Sequence, residues 1–313
     1  MSKTIYPIHP DFKFWSHMHP PIQKWMLPSM QSMMGLLFTR EKSTEQLTVE
    51  RKTIPLSDGA TLRALLYTPT DLPANAPCLI YYHGGGFVFP AAPYHYTLAK
   101  LYSRKACCKV LFVDYRLAPK HPFPTPPNDC YAAYCWLLDH ATELSVDPER
   151  IAVGGDSAGG KLATTVALLA RDHGRKIPCG QLLLYPVISP PEKTESMRQF
   201  TDTPMCNSRD AKKYDALYMP DNAVQGPYAT LLNGESLSQL PATYVETAEF
   251  DCLRDEGILY AQALEEAGIP TTLYNTEGTM HGYDIVLRSP IVWESIKRRI
   301  LFLRECFHPK NGM

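Results

Sequence analysis

Several things are missing from this chain, and each absence closes off a class of function. No stretch of apolar residues approaches the ~20 needed to cross a bilayer. The opening residues, Met1-Ser2-Lys3-Thr4-Ile5-Tyr6-Pro7, hold no continuous apolar core of the signal-peptide kind. No basic run stands out, and 31 Lys and Arg against 32 Asp and Glu leave a formal charge of −1. That balance argues against nucleic acid and anionic membrane as partners. The nine cysteines are scattered, with no Cys-x-x-Cys and no Cys/His set at zinc spacing. A metal site is unsupported, and an odd count without a framework suits a reducing compartment. No Gly-x-Gly-x-x-Gly opens a helix and no Gly-Lys-Ser/Thr occurs, so the glycines are poorly read as a phosphate cradle. The expectation is a cytoplasmic protein without a metal.

What is present centres on one turn. Arg150-Ile151-Ala152-Val153 reads as a short buried strand and Lys161 to Ala170 as a helix. Gly154-Gly155-Asp156-Ser157-Ala158-Gly159-Gly160 stands between them. Gly155-x-Ser157-x-Gly159 in that setting is the pattern of a nucleophile elbow. A strained turn pushes the serine hydroxyl outward, and glycine two residues to either side avoids collision. The helix N-terminus behind it favours developing negative charge. Alone, the pattern is equally a Gly-rich turn with a chance serine.

With 313 residues and a 45% hydrophobic share, the chain has material for one large α/β domain or two smaller ones. Residues 1–45, rich in Pro, Met, His and Trp, read as an N-terminal cap arm. Prolines open two short helices there, at about 21–27 and 28–38. Met30, Met33, Met34 and Leu37 share one face of the second. Methionine adapts to varied apolar partners, which suits a lid over a pocket.

Residues 46–313 read as the main domain. A hairpin turning at Asp58-Gly59 joins strands at 46–56 and 61–68. Strands at 77–82, 109–114, 150–153, 181–185, 243–247 and 271–275 then alternate with helices at 94–105, 128–140, 161–170, 256–267 and 289–304. The helix at 128–140 is capped near Asn128 or Asp129, after a proline-rich irregular loop at 116–127. Residues from about 187 to 240 break the alternation and read as an inserted, partly helical cap segment. The whole predicts an α/β fold, a mostly parallel central sheet with helices on both faces.

Three further features bear on Ser157. His83-Gly84-Gly85-Gly86-Phe87 ends a strand and exposes backbone N–H groups; with the N–H of Ala158, these suit an oxyanion hole. His83 itself reads as a loop anchor, since it precedes the serine. The order expected of such a site is Ser, then Asp or Glu, then His. Asp251 follows the strand at 243–247, while Asp255 stands in the first turn of a helix, where the dipole alone explains it. Of the three histidines after Ser157, His173 ends the elbow helix and His308 lies in the tail. His281, in a glycine-bearing loop after the strand at 271–275, is the candidate base. Its titration near neutrality would set a rate limb.

These residues resemble the hormone-sensitive-lipase-like family of esterases, in particular its microbial carboxylesterases, over roughly residues 45–305. The likeness is carried by His83-Gly84-Gly85-Gly86-Phe87, Asp114-Tyr115-Arg116-Leu117-Ala118-Pro119 with Phe123-Pro124, and Gly155-Asp156-Ser157-Ala158-Gly159-Gly160. Asp251-Cys252-Leu253-Arg254-Asp255-Glu256-Gly257 and His281-Gly282-Tyr283 complete it. Cys252 stands where the family usually has proline, and Tyr283 where it usually has phenylalanine. The resemblance implies an α/β-hydrolase fold with a cap, no cofactor, and hydrolysis of short- to medium-chain acyl esters. It favours Asp251 over Asp255, and it makes Gly85 and Gly86 oxyanion donors. The expected partner is a small-molecule ester, without nucleic acid or membrane; a homo-oligomer is left open. A deacetylase of sugars or small metabolites, an amidase, or a binding protein on the same scaffold are the competing readings.

Overall fold

In a computed structural model the chain is described over residues 6–15, 18, 23–189, 194–220, 228–232 and 236–309. Eight strands form one sheet in the order β1-β2-β4-β3-β5-β6-β7-β8. The hairpin β1 (Leu47–Pro55) and β2 (Thr61–Pro69) adds two antiparallel strands at one edge. The others run parallel: β3 (Ala76–Tyr82), β4 (Lys109–Asp114), β5 (Val146–Asp156), β6 (Gln181–Leu184), β7 (Thr243–Phe250) and β8 (Thr271–Met280).

All seven residues of β3 are buried, because its alternate side chains feed two different layers. Cys78, Ile80 and Tyr82 face α3 (Thr125–Asp139), α4 (Ala158–Asp172) and α7 (Arg254–Glu266). Leu79 and Tyr81 face α2 (Pro93–Lys105) and α8 (Pro290–Phe307). From β3 the chain steps outward through α2 to β4, then crosses back through α3 to β5 on the other side of β3. That reversal opens a crevice at the carboxyl ends of β3 and β5, where open α/β sheets bind ligands. The His83 loop leaves one of those ends and Ser157 leaves the other.

The structure shifts several expected boundaries. α3 begins at Thr125, with Pro126 and Pro127 in its first turn, where a missing N–H costs nothing. Its cap is Pro124, and Asp129 instead binds the Arg116 backbone N–H (3.0 Å) and guanidinium. β8 runs on to Met280, so His281 follows directly from a strand end. Of the arm, the expected helix at 28–38 is α1 (Leu27–Arg40). Residues 21–22 of the other expected helix, at about 21–27, lie outside the described residues, and 24–26 form a turn. Met30 and Met34 face inward, whereas Met33 is 65% exposed and leaves the expected stripe. Among the described residues between β6 and β7 lie two further helices, α5 (Glu195–Gln199) and α6 (Ser208–Tyr218). Among the described residues no helix is long and apolar enough to cross a membrane.

Candidate active site

Ser157 sits at the junction of β5 and α4 with φ 54° and ψ −118°, a strained backbone for a residue with a side chain. Neighbours leave no room beside it. A Cβ on Gly159 would stand 1.9 Å from the Tyr82 carbonyl oxygen, and one on Gly155 would stand 2.4 Å from the Gly159 backbone. The Ser157 N–H donates to the Leu184 carbonyl (2.8 Å), which pins the turn to β6.

Three side chains from three strand ends meet here. His281 Nε2 lies 2.9 Å from Ser157 Oγ, and His281 Nδ1 lies 2.7 Å from Asp251 Oδ2. A carboxylate only accepts, so Nδ1 carries the proton and the neutral ring offers Nε2 to the hydroxyl. The other oxygen of Asp251 accepts from the Leu253 N–H at 3.0 Å. All three residues are buried, Asp251 completely. Burial works against an imidazolium, yet the Asp251 carboxylate outweighs it and lifts the His281 pKa to about 9. The Tyr185 ring packs edge-on against the imidazole at 5.1 Å. Tyr185 in turn donates to Asp284 Oδ2 (2.7 Å), which pairs with the buried Arg299.

Asp255, the other candidate acid, lies elsewhere. It accepts from the Ser196 N–H (2.7 Å) and pairs with Arg254 (2.9 Å), tying α5 to α7. His173 caps α4 at the end remote from Ser157, and His308 follows α8.

The loop after β3 runs beside Ser157. Gly86 has φ +59°, and a Cβ there would meet the Tyr214 ring at 2.5 Å. Among the described residues, the N–H groups of Gly85, Gly86 and Ala158 have no acceptor. His83 is fully buried, with its Nδ1 2.7 Å from the Gly84 carbonyl. It stacks on Tyr115 at 4.5 Å, and burial pulls its pKa down to about 4.

One residue packed against this loop, at the end of β5, has a contact set that local sequence does not reveal. Asp156 Oδ1 accepts from Tyr81 Oη (2.9 Å) and the Gly84 N–H (3.0 Å). Its Oδ2 meets His95 Nε2 (3.0 Å) and Tyr94 Oη (3.3 Å). Burial pushes this carboxyl up, but His95 and Tyr81 hold it at about 2. Its place next to the nucleophile was the available signal; its partners come from β3, the loop after it and α2.

A cavity of about 360 Å³ opens over Ser157 and His281. Trp15, Met30 and Met34 wall it from the N-terminal side, and Met205 and Tyr214 from the segment between β6 and β7. Trp25, in the same arm, is 79% exposed. Among the described residues no group of three His, Cys, Asp or Glu side chains is placed to hold a metal ion.

An elbow serine, an imidazole and a carboxylate at the carboxyl ends of a mostly parallel sheet define the α/β hydrolases as a class. Residues 79–285 match the family described by the α/β-hydrolase fold. The chain is 34% identical over 268 residues to carboxylesterase NlhH of Mycobacterium tuberculosis, covering 84% of each chain. It superposes on the structure of a bacterial heroin esterase with a TM-score of 0.87, at 32% identity, covering 96% of this chain and 98% of that one. For esterase LipW of Mycobacterium marinum the TM-score is 0.88, at 28% identity and 97% coverage of both. The chain belongs to this α/β-hydrolase family, in line with the resemblance to hormone-sensitive-lipase-like esterases, and is a carboxylic ester hydrolase.

Proposed function

We propose that the protein is a serine carboxylesterase that works through an acyl-enzyme on Ser157 and prefers short- to medium-chain acyl groups. The observation that carries this reading is the continuous chain from Ser157 Oγ through His281 to Asp251, at 2.9 and 2.7 Å. His281 takes the proton of Ser157 as its oxygen attacks the ester carbonyl, then gives it to the leaving alcohol. Asp251 fixes the tautomer of His281 and stabilises its charged form. Gly85, Gly86 and Ala158 donate to the oxyanion; their N–H groups have no other acceptor among the described residues. Water activated by His281 then releases the acid.

The cavity, about 360 Å³, is at the small end for ligand sites, which supports the chain-length preference. In this reading residues 1–45 and about 187–240 form a cap over the 46–313 catalytic domain, and Met30, Met34 and Met205 line it. The test is labelling with a fluorophosphonate probe, alongside turnover of p-nitrophenyl butyrate. Wild type labels and turns over; Ser157→Ala does neither above the residual left by binding and oxyanion contacts. Wild-type-like turnover in Ser157→Ala would remove the mechanism.

A further inference from the structure

One side chain reaches both partners of the contact between Ser157 and His281. Tyr185 follows β6 with φ 35°, a strained backbone for a residue other than glycine. The segment around it brackets the serine. The Leu184 carbonyl accepts the Ser157 N–H (2.8 Å), and the Val187 N–H donates to the Ser157 carbonyl (3.0 Å). The Tyr185 N–H itself donates to the Glu246 carbonyl on β7. The side chain is buried and walls the cavity beside Ser157.

From there it turns to the loop that carries the imidazole. Its ring packs edge-on against His281 at 5.1 Å. Its hydroxyl donates to Asp284 Oδ2 at 2.7 Å, and Asp284 follows His281 closely, in a single 3-10 turn at Tyr283–Ile285. The other oxygen of Asp284 accepts from Arg299 Nη1 at 3.0 Å. Arg299, on α8, also pairs with Glu246 and donates to the Tyr102 hydroxyl at 3.2 Å. Asp284, Arg299 and Glu246 are completely buried. Packing on the imidazole needs only a ring, which phenylalanine would supply. The hydroxyl adds a charge-assisted bond to the loop that carries His281. A strained residue persists where its surroundings over-determine it. Here those surroundings are the serine turn on one side and the His281 loop on the other.

We infer that Tyr185 is a positioning residue for proton transfer between Ser157 and His281. Its backbone segment fixes the serine turn, and its hydroxyl, through Asp284, holds the His281 loop within the 2.9 Å contact. The inference rests on the proposed mechanism through Ser157, His281 and Asp251.

Two variants break the bond from either end. Tyr185→Phe keeps the ring and leaves Asp284 paired with Arg299, while Asp284→Ala leaves Arg299 paired with Glu246. Tyr134→Phe is the control. It removes a hydroxyl bond of the same length, 2.7 Å to the Lys176 carbonyl, from a buried residue of α3 outside the cavity. The readouts are kcat and KM for p-nitrophenyl butyrate and the rate of fluorophosphonate labelling, with circular dichroism for folding. Tyr185→Phe and Asp284→Ala should each lower kcat and the labelling rate by roughly ten- to hundredfold, the scale of a misplacement of about 1 Å, with KM within about twofold. The double variant should lose no more than the worse single one, because both act through one bond. Tyr134→Phe should stay within about twofold of wild type. Wild-type kcat in Tyr185→Phe overturns the inference, and so do losses that multiply in the double variant. An equal loss in Tyr134→Phe overturns it too, since stability alone would then explain both. Tyr185→Phe that does not fold where Tyr134→Phe folds makes the hydroxyl a fold contact and likewise overturns it. Wild type that neither labels nor turns over removes the Ser157 reading and this inference together. Labelled wild type beside an unaffected Tyr185→Phe removes this inference alone.

Discussion

The pH dependence of turnover follows from the contact between His281 and Asp251. In the proposed mechanism a neutral imidazole is needed to take the Ser157 proton, and a free histidine titrates at about 6.5. Burial would lower that value, but the Asp251 carboxylate 2.7 Å from Nδ1 lifts it towards about 9. The limb therefore moves from the neutrality expected of sequence to the alkaline side. With a value near 9, the neutral fraction at pH 7 is about one in a hundred, and half at pH 9. kcat/KM would then rise roughly fiftyfold, against about 1.3-fold for an unshifted histidine. The assay is kcat/KM for p-nitrophenyl acetate from pH 5 to 10, corrected for background hydrolysis, with circular dichroism at each pH. Asp251→Asn removes the largest upward pull on His281 and leaves burial opposed only by weaker ones, so the residual limb should move acidward. Its rate should fall by as much as about 10⁴-fold, because an amide does not select the working tautomer. A wild-type limb at or below 6.5, or one that Asp251→Asn leaves in place, would refute this account.

The other expectations concern packing. Gly159→Ala places a Cβ 1.9 Å from a backbone oxygen and should cost about 3 kcal/mol or more in urea unfolding. Gly174→Ala, with φ +62° and open space around it, should cost only about 1–2 kcal/mol; equal costs would show that the elbow tolerates movement. Arg299→Leu strands Glu246 and Asp284 together in a fully buried site and should destabilise by about 3–5 kcal/mol; a loss under about 1 kcal/mol would contradict that. Met30→Ala with Met34→Ala widens the cavity, so the longest p-nitrophenyl ester accepted should lengthen; an unchanged cutoff would deny these side chains a wall role.

The elements legible in the sequence are those whose signal is local. The β1–β2 hairpin turned at Asp58-Gly59, and the apolar runs of β3 and β4, needed no distant partner to be read. Ser157 and His281 were separable from other candidates because each follows a strand, Asp251 from Asp255 largely through the family resemblance, and the chain does bring the three side chains together. What escaped depends on contacts between remote segments. His95 reaches Asp156 across 61 residues and Tyr81 across 75, so nothing near Asp156 hints at its load. Met33 lies one position from Met34, about 100° round the helix, and that rotation turns it to solvent. The upward pull on the His281 pKa escaped because its environment, absent from any motif, combines burial with a carboxylate.

Asp156 shows why the serine turn and the glycine loop belong to one device. Its oxygens face four groups, and all four can donate: Tyr81 and Tyr94 hydroxyls, the Gly84 N–H and His95 Nε2. The His95 proton is directed there by a second contact, since the Ala92 N–H donates to His95 Nδ1 at 2.8 Å and leaves the hydrogen on Nε2. An acceptor-only carboxylate satisfies all four donors at once, whereas an amide would turn an N–H towards two of them. The residue beside Ser157 in the chain thus sets Gly84, which precedes Gly85 and Gly86 in the loop. In the proposed mechanism the Gly85 and Gly86 N–H donors leave a different strand from Ser157 and Ala158, at the point where the sheet reverses its winding. Their spacing is fixed by one buried carboxylate, so the same turn that strains Ser157 also sets where an oxyanion would be met.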